Sequence, residues 1–79
     1  LTPQKYLDSF HGGNMTHMHN AMMDKGVTLS YPMLRRNIKG ICMPTIPVWE
    51  AWEDFTKGKV DREELIQVHL LYIDGMVGK

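Results

Sequence analysis

The sequence predicts an all-α domain of five short helices, and three observations lead there. Apolar residues recur three and four positions apart in successive segments. Helix-entry residues stand at the head of those segments, several with a proline close behind. Glycines close most of them. At 79 residues the chain holds one domain. A domain of that size buries only about 60–65% of its unfolded surface, so its helices must pack economically or a partner must complete the core.

The first helix enters at Thr2-Pro3, where Thr2 caps exposed amides and Pro3 sits at a position that needs no N–H. Tyr6, Leu7 and Phe10 share one face of it, and Gly12-Gly13 ends it. Asn14 to Lys25 forms the second helix, with Met15, Met18 and Met22 as its apolar stripe, Ala21 beside them and Gly26 as the stop. Asn14 or Thr16 serves as its cap. Val27-Thr28-Leu29 is too short for a strand and reads as a turn. Ser30 followed by Tyr31-Pro32 starts the third helix, which buries Leu34 and Ile38 and ends at Gly40.

Cys42 to Pro47 is a loop held extended by two prolines, and Thr45 or Ile46 begins the fourth helix. Val48, Trp52 and Phe55 give that helix an aromatic core face, with Trp49 at its edge. Thr56-Lys57-Gly58-Lys59 turns the chain. Asp61 and Glu64 then have capping-box spacing, and Glu63-Glu64 suits the positive end of a helix dipole. The last apolar stretch, Leu65 to Ile73, fits either element type: Leu65, His69 and Ile73 follow a helix, while Val68, Leu70 and Tyr72 follow a strand face. Helix is the preferred reading. Residues 75–79 are expected to fray.

Composition narrows the function. Nine basic residues balance nine acidic ones, so no strong overall field attracts nucleic acid and any such binding must rest on a local patch. A single cysteine, Cys42, excludes a disulfide framework and a cysteine-rich zinc site. No apolar run approaches the roughly 20 residues that cross a bilayer, and the N-terminus lacks a signal-peptide pattern, which points to the cytoplasm. No cofactor is implied. His17 and His19 lie two positions apart and point to opposite sides of a helix, so they do not grip one metal ion. The seven methionines suit adaptable core filling, with Met23 and Met43 off the stripes as exposed contacts. Cys42 with His69 or His11 as base is the nearest approach to a nucleophile, but no residues here build an oxyanion site, so the chain is not expected to be an enzyme.

The informative unit is the pair of helices 14–25 and 30–39 joined at Gly26. Val27 and Leu29 plug the bend, while Leu34 and Ile38 anchor the second helix. Its other face carries Tyr31, Arg35, Arg36, Asn37 and Lys39, the densest positive charge in the chain. Arginine and asparagine are the side chains that pair bidentately with guanine and adenine edges. A solvated helix face is the plainer explanation of the same spacing.

The wider pattern adds to this. Thr2 precedes Tyr6-Leu7, Gly12-Gly13 breaks the chain, Gly40 closes the recognition helix, and a proline loop and apolar helix lead into Thr56-Lys57-Gly58-Lys59-Val60-Asp61-Arg62-Glu63-Glu64-Leu65. From Leu1 to about Ile66 the chain resembles the small Cro/repressor-type helix-turn-helix regulators of phages and prophages. That resemblance implies a lambda-repressor-like domain over 1–66 and a sequence-specific transcriptional regulator that binds a palindromic operator as a homodimer. Tyr31, Arg35, Arg36 and Asn37 would then meet bases, while Thr28, Ser30 and Lys39 hold phosphates. The apolar tail, 67–79, replaces the family's usual polar ending and suggests a dimerisation element. The competing reading is a helical interaction module that keeps the fold and binds a host or phage protein, favoured by the zero net charge, the methionines and the tail.

Overall fold

In the computed structural model, which describes residues 1–77, the chain forms α1 (Pro3–His11), α2 (Met15–Asp24), α3 (Tyr31–Lys39), α4 (Ile46–Thr56) and α5 (Arg62–Val77). No strand occurs among the described residues. The helix starts follow from short polar side chains satisfying amides that lack an intrahelical partner. Thr2 Oγ1 accepts from the Lys5 amide at 3.1 Å, Asn14 Oδ1 from His17 at 3.0 Å and Ser30 Oγ from Met33 at 3.3 Å. Asp61 Oδ1 accepts from the Glu64 amide at 2.9 Å. Thr45 makes no such bond, and α4 relies instead on Pro47 in its first turn.

Two exits use the same paired backbone bonds. Val27 N donates to Met22 O at 2.9 Å and Gly26 N to Met23 O at 3.0 Å; Ile41 N donates to Arg36 O at 3.0 Å and Gly40 N to Asn37 O at 3.3 Å. Each exit then sends an apolar residue, Val27 or Ile41, back along the helix it has left.

Tyr6 and Leu7 of α1, Met18 and Met22 of α2, Leu34 and Ile38 of α3, and Trp52 and Phe55 of α4 meet Val27, Val60 and Leu65 in one core. Helix α3 packs against α1, α2 and α5, which leaves a single face of it to solvent. Thr56 stitches the α4–α5 turn: its buried Oγ1 donates to Trp52 O at 2.7 Å and accepts from Val60 N at 3.1 Å.

Residues 65–73 are helical, the preferred of the two readings. Against the fraying expected from 75, α5 runs on through Gly75 to Val77; 78–79 lie outside the described residues. Positions 66 and 67, between the expected domain and its tail, lie within this one helix, and Leu65 and His69 on either side of them are both buried. Burial stops there, because Ile73, the next residue of that stripe, is exposed. Phe10 is also exposed: it lies beyond the core and stacks on the outside of Tyr6, ring centroids 4.7 Å apart.

Candidate nucleic-acid interface

Helix α3 is amphipathic in the sense a groove-reading helix requires. Leu34, Asn37 and Ile38 are buried, whereas Tyr31, Pro32, Arg35, Arg36 and Lys39 are exposed. Three cations therefore share one outward surface. Among the described residues no carboxylate comes within 4 Å of any of them. Arg36 and Lys39 also sit in the last turn, where positive charge complements the helix dipole, so part of their placement serves α3 itself. Helix α5 crosses α3 at Gly40, where His69 Nδ1 donates to the Gly40 carbonyl at 2.8 Å, and it leaves the arginine surface uncovered.

Asn37 does not belong to that surface. It is 3% exposed, and its Oδ1 accepts a hydrogen bond from Trp52 Nε1 at 3.0 Å. The indole N–H of a fully buried tryptophan needs an acceptor, and Asn37 supplies it. Its role is to tie α3 to α4, and it presents no edge to a ligand.

Thr28 and Ser30 are exposed at the entrance to α3. Ser30 Oγ accepts from the Met33 amide, leaving the O–H to donate outward. Pro32 withdraws one of the amides that a helix start usually offers to an anion. Tyr31 is held by His19, a residue the sequence reading weighed only as a metal ligand. The two rings meet edge-on at 5.7 Å, and His19 Nε2 donates to the Leu29 carbonyl at 2.9 Å. His19 thus fixes both the turn and the first side chain of α3. Its four-residue offset from Met15 on α2 was the only local hint.

The connection from α2 to α3 spans 25–30, longer than the three or four residues common in helix-turn-helix units. Val27 is buried and Leu29 packs on the core, so this longer turn is anchored at both ends. Shallow clefts of about 330 Å³ flank it on either side, and His19 is the sole titratable side chain among their walls. Neither gathers groups for chemistry.

The other histidines are engaged away from the arginine surface of α3. His17 turns to His11 across the α1–α2 bend, with Nδ1 to Nδ1 at 3.0 Å, while His19 points to Leu29, so the two histidines of α2 diverge. His11 and His69, the bases considered for Cys42, are thus bonded to His17 and to Gly40. No group of three or more His, Cys, Asp or Glu suited to a metal ion occurs among the described residues. No helix among them is long and apolar enough to cross a membrane. Comparison with protein-family models, curated proteins and solved structures finds no match to this chain.

Proposed function

We propose that the protein is a sequence-specific DNA-binding transcriptional regulator of the Cro/repressor type, built on a lambda-repressor-like helix-turn-helix and acting in the cytoplasm without catalysis or cofactor. The observation that carries this is the outward surface of α3, where Arg35, Arg36 and Lys39 lie exposed beside Tyr31 with no carboxylate within 4 Å among the described residues. An α-helix, about 10–12 Å across with its side chains, fits a major groove roughly 12 Å wide. Arg35 and Arg36 read base edges, Tyr31 packs near them, and Thr28, Ser30 and Lys39 hold phosphates. Helix α2 braces the backbone.

One α3 reads one half-site. A two-fold copy supplies the second, about 34 Å away, and a palindromic operator follows. The end of α5 gives such a copy something to bind: Leu70, Leu71, Tyr72 and Ile73 are all exposed, although successive helix residues turn by about 100° and so cover nearly the whole circumference. Occupied operator excludes polymerase, and repression needs no further chemistry.

Duplexes selected from a randomised pool, followed by binding titrations, test this reading. The wild-type chain should enrich a palindrome and lose affinity steeply as salt rises. Arg35→Ala and Arg36→Ala should each weaken the selected site by about 1–3 kcal/mol and relax base preference. Wild-type affinity in both variants, or no binding to any duplex at low salt, overturns it. The second reading, a module that binds a host or phage protein, rests on the zero net charge together with the exposed apolar end of α5. It gains if the chain binds no DNA.

A further inference from the structure

Helices α1 and α2 are joined by a bend at Gly12-Gly13, where both glycines have positive φ (59° and 74°). Such a bend is permissive by itself. What spans it is the His11–His17 pair, with Nδ1 facing Nδ1 at 3.0 Å. The two rings are unequal. His17 is exposed on α2, whereas His11 is packed beside Tyr6 at 5.7 Å and stacked on Phe55 of α4 at 6.0 Å. His11 Nε2 is buried with no hydrogen-bond partner. The titratable and charged groups around the pair include Tyr6 and Asp8 on α1, His17 itself on α2, and Lys25, whose Nζ lies 5.6 Å from the far-lying Phe55 ring; Asp8 Oδ1 lies beside Gly13 in the bend and accepts from Gln4 Nε2 at 3.0 Å. No carboxylate stands within 4 Å of either imidazole among the described residues.

Those surroundings fix how many protons the contact tolerates. With both rings neutral, one Nδ1 carries hydrogen and donates to the lone pair of the other. With one added proton the bond persists as a charge-assisted one. A second added proton puts N–H against N–H and two positive charges side by side, with no carboxylate within 4 Å of either ring among the described residues to offset them. The contact must then open.

We propose that His11 and His17 form a proton-counting latch that holds α1 to α2 while the pair carries at most one added proton and releases the bend when it takes up the second. Burial of His11 and the charge of His17 both hold the His11 pKa below its ordinary value, in keeping with a late second step. Because α2 also packs on α3, release loosens the brace beneath the arginine surface. That last consequence rests on the DNA-binding reading; the latch does not.

Imidazole nitrogen NMR on the full chain between pH 8 and 4.5, with amide exchange measured alongside, tests the latch. Near pH 8 one of the two rings should be the Nδ1–H tautomer. Protonation should then proceed in two steps more than one pH unit apart. Across the second step the Gly13 and Asn14 amides, bonded to Leu7 O and His11 O, should lose protection at least tenfold while the Trp52 indole keeps its own. His17→Gln, neutral throughout, should abolish that loss; if this variant does not fold, the wild-type tautomers and steps decide alone. Nε2–H tautomers in both rings, a single shared step, or unchanged exchange overturns the latch. On a selected duplex, wild-type affinity should fall at least fivefold from pH 7.5 to 4.5 and that of His17→Gln less than twofold. An open latch with unaltered affinity overturns the link to α3. Absence of DNA binding at both pH values sinks the regulator reading and leaves the latch to the NMR result.

Discussion

Gly40→Ala places one methyl group where α5 crosses α3. Gly40 is buried with φ +78°, and a Cβ there would lie 2.5 Å from the Val68 carbonyl oxygen and 2.7 Å from Val68 Cγ1. Backbone does not yield as a side-chain tip does, so α5 must move. Three contributions follow. Left-handed backbone disfavours a Cβ by about 1–2 kcal/mol. Displacing α5 breaks the 2.8 Å bond from His69 Nδ1 to Gly40 O, a loss of about 1 kcal/mol. Loosening the packing of buried Leu65 adds about 1 kcal/mol more. Alanine also narrows the unfolded ensemble, which offsets roughly 0.4–1 kcal/mol.

The expected destabilisation is therefore about 2–3 kcal/mol, a large share of the margin such a domain has. Gly26→Ala is the internal control: its φ is +81°, but nothing lies within 4 Å of its added Cβ. It should lose only the conformational part, about 1 kcal/mol after the same offset. Urea unfolding followed by tryptophan fluorescence measures both. Equal losses in the two variants would refute the packing of α5 on α3, since only the collision separates them.

Three further outcomes follow from single contacts. Asn37→Ala should destabilise by about 1–3 kcal/mol, because the buried Trp52 N–H is left without its acceptor; urea unfolding measures this, and base preference at a selected site should not change. Lys57 is the one non-glycine residue with positive φ, +55°, among the described residues, so Lys57→Gly should raise stability by up to about 1 kcal/mol in the same assay. His11 has its pKa depressed by burial and by His17, so as pH falls below about 6.5 the unfolded chain takes the proton first and stability declines. The contribution is fully present above that pH and is lost on acidification. Its slope stays under about 1.4 kcal/mol per pH unit, the limit for one proton, solvent screening at the partly exposed ring lowers it further, and His11→Gln should flatten it in urea midpoints taken from pH 7.5 to 5.5.

Helix starts were legible because a cap is a local device. Thr2, Asn14, Ser30 and Asp61 each reach an amide three residues ahead, and sequence spacing contains all of that information. Asn37 shows where residue type misleads. Its chemistry suggested adenine, but it stands three residues after Leu34 and one before Ile38, on the inward stripe of the same helix. Period alone would have turned it inward. What period could not supply was its partner, since Trp52 lies fifteen positions on and in another helix. The His11–His17 pair was hidden for a similar reason: it depends on the angle of the Gly12-Gly13 bend, and no pattern along the chain reports an angle.

The end of α5 failed to declare itself for a different reason, and that failure carries information. A helix that packs on one side needs a stripe and hence a period, whereas Leu70-Leu71-Tyr72-Ile73 has none. Uniform apolarity let a strand fit beside the preferred helix. The same uniformity means that no rotation of the helix hides these residues: Leu71 is 61% exposed and Leu70 48%, while Leu65 one and a half turns earlier is 2% exposed. About one turn of exposed apolar helix gains little from its own backbone bonds in water. An apolar surface on every side of a projecting helix is stabilised by cover on more than one side, which a single domain body cannot give. The missing period and the exposure are one property, the first seen along the chain and the second in space.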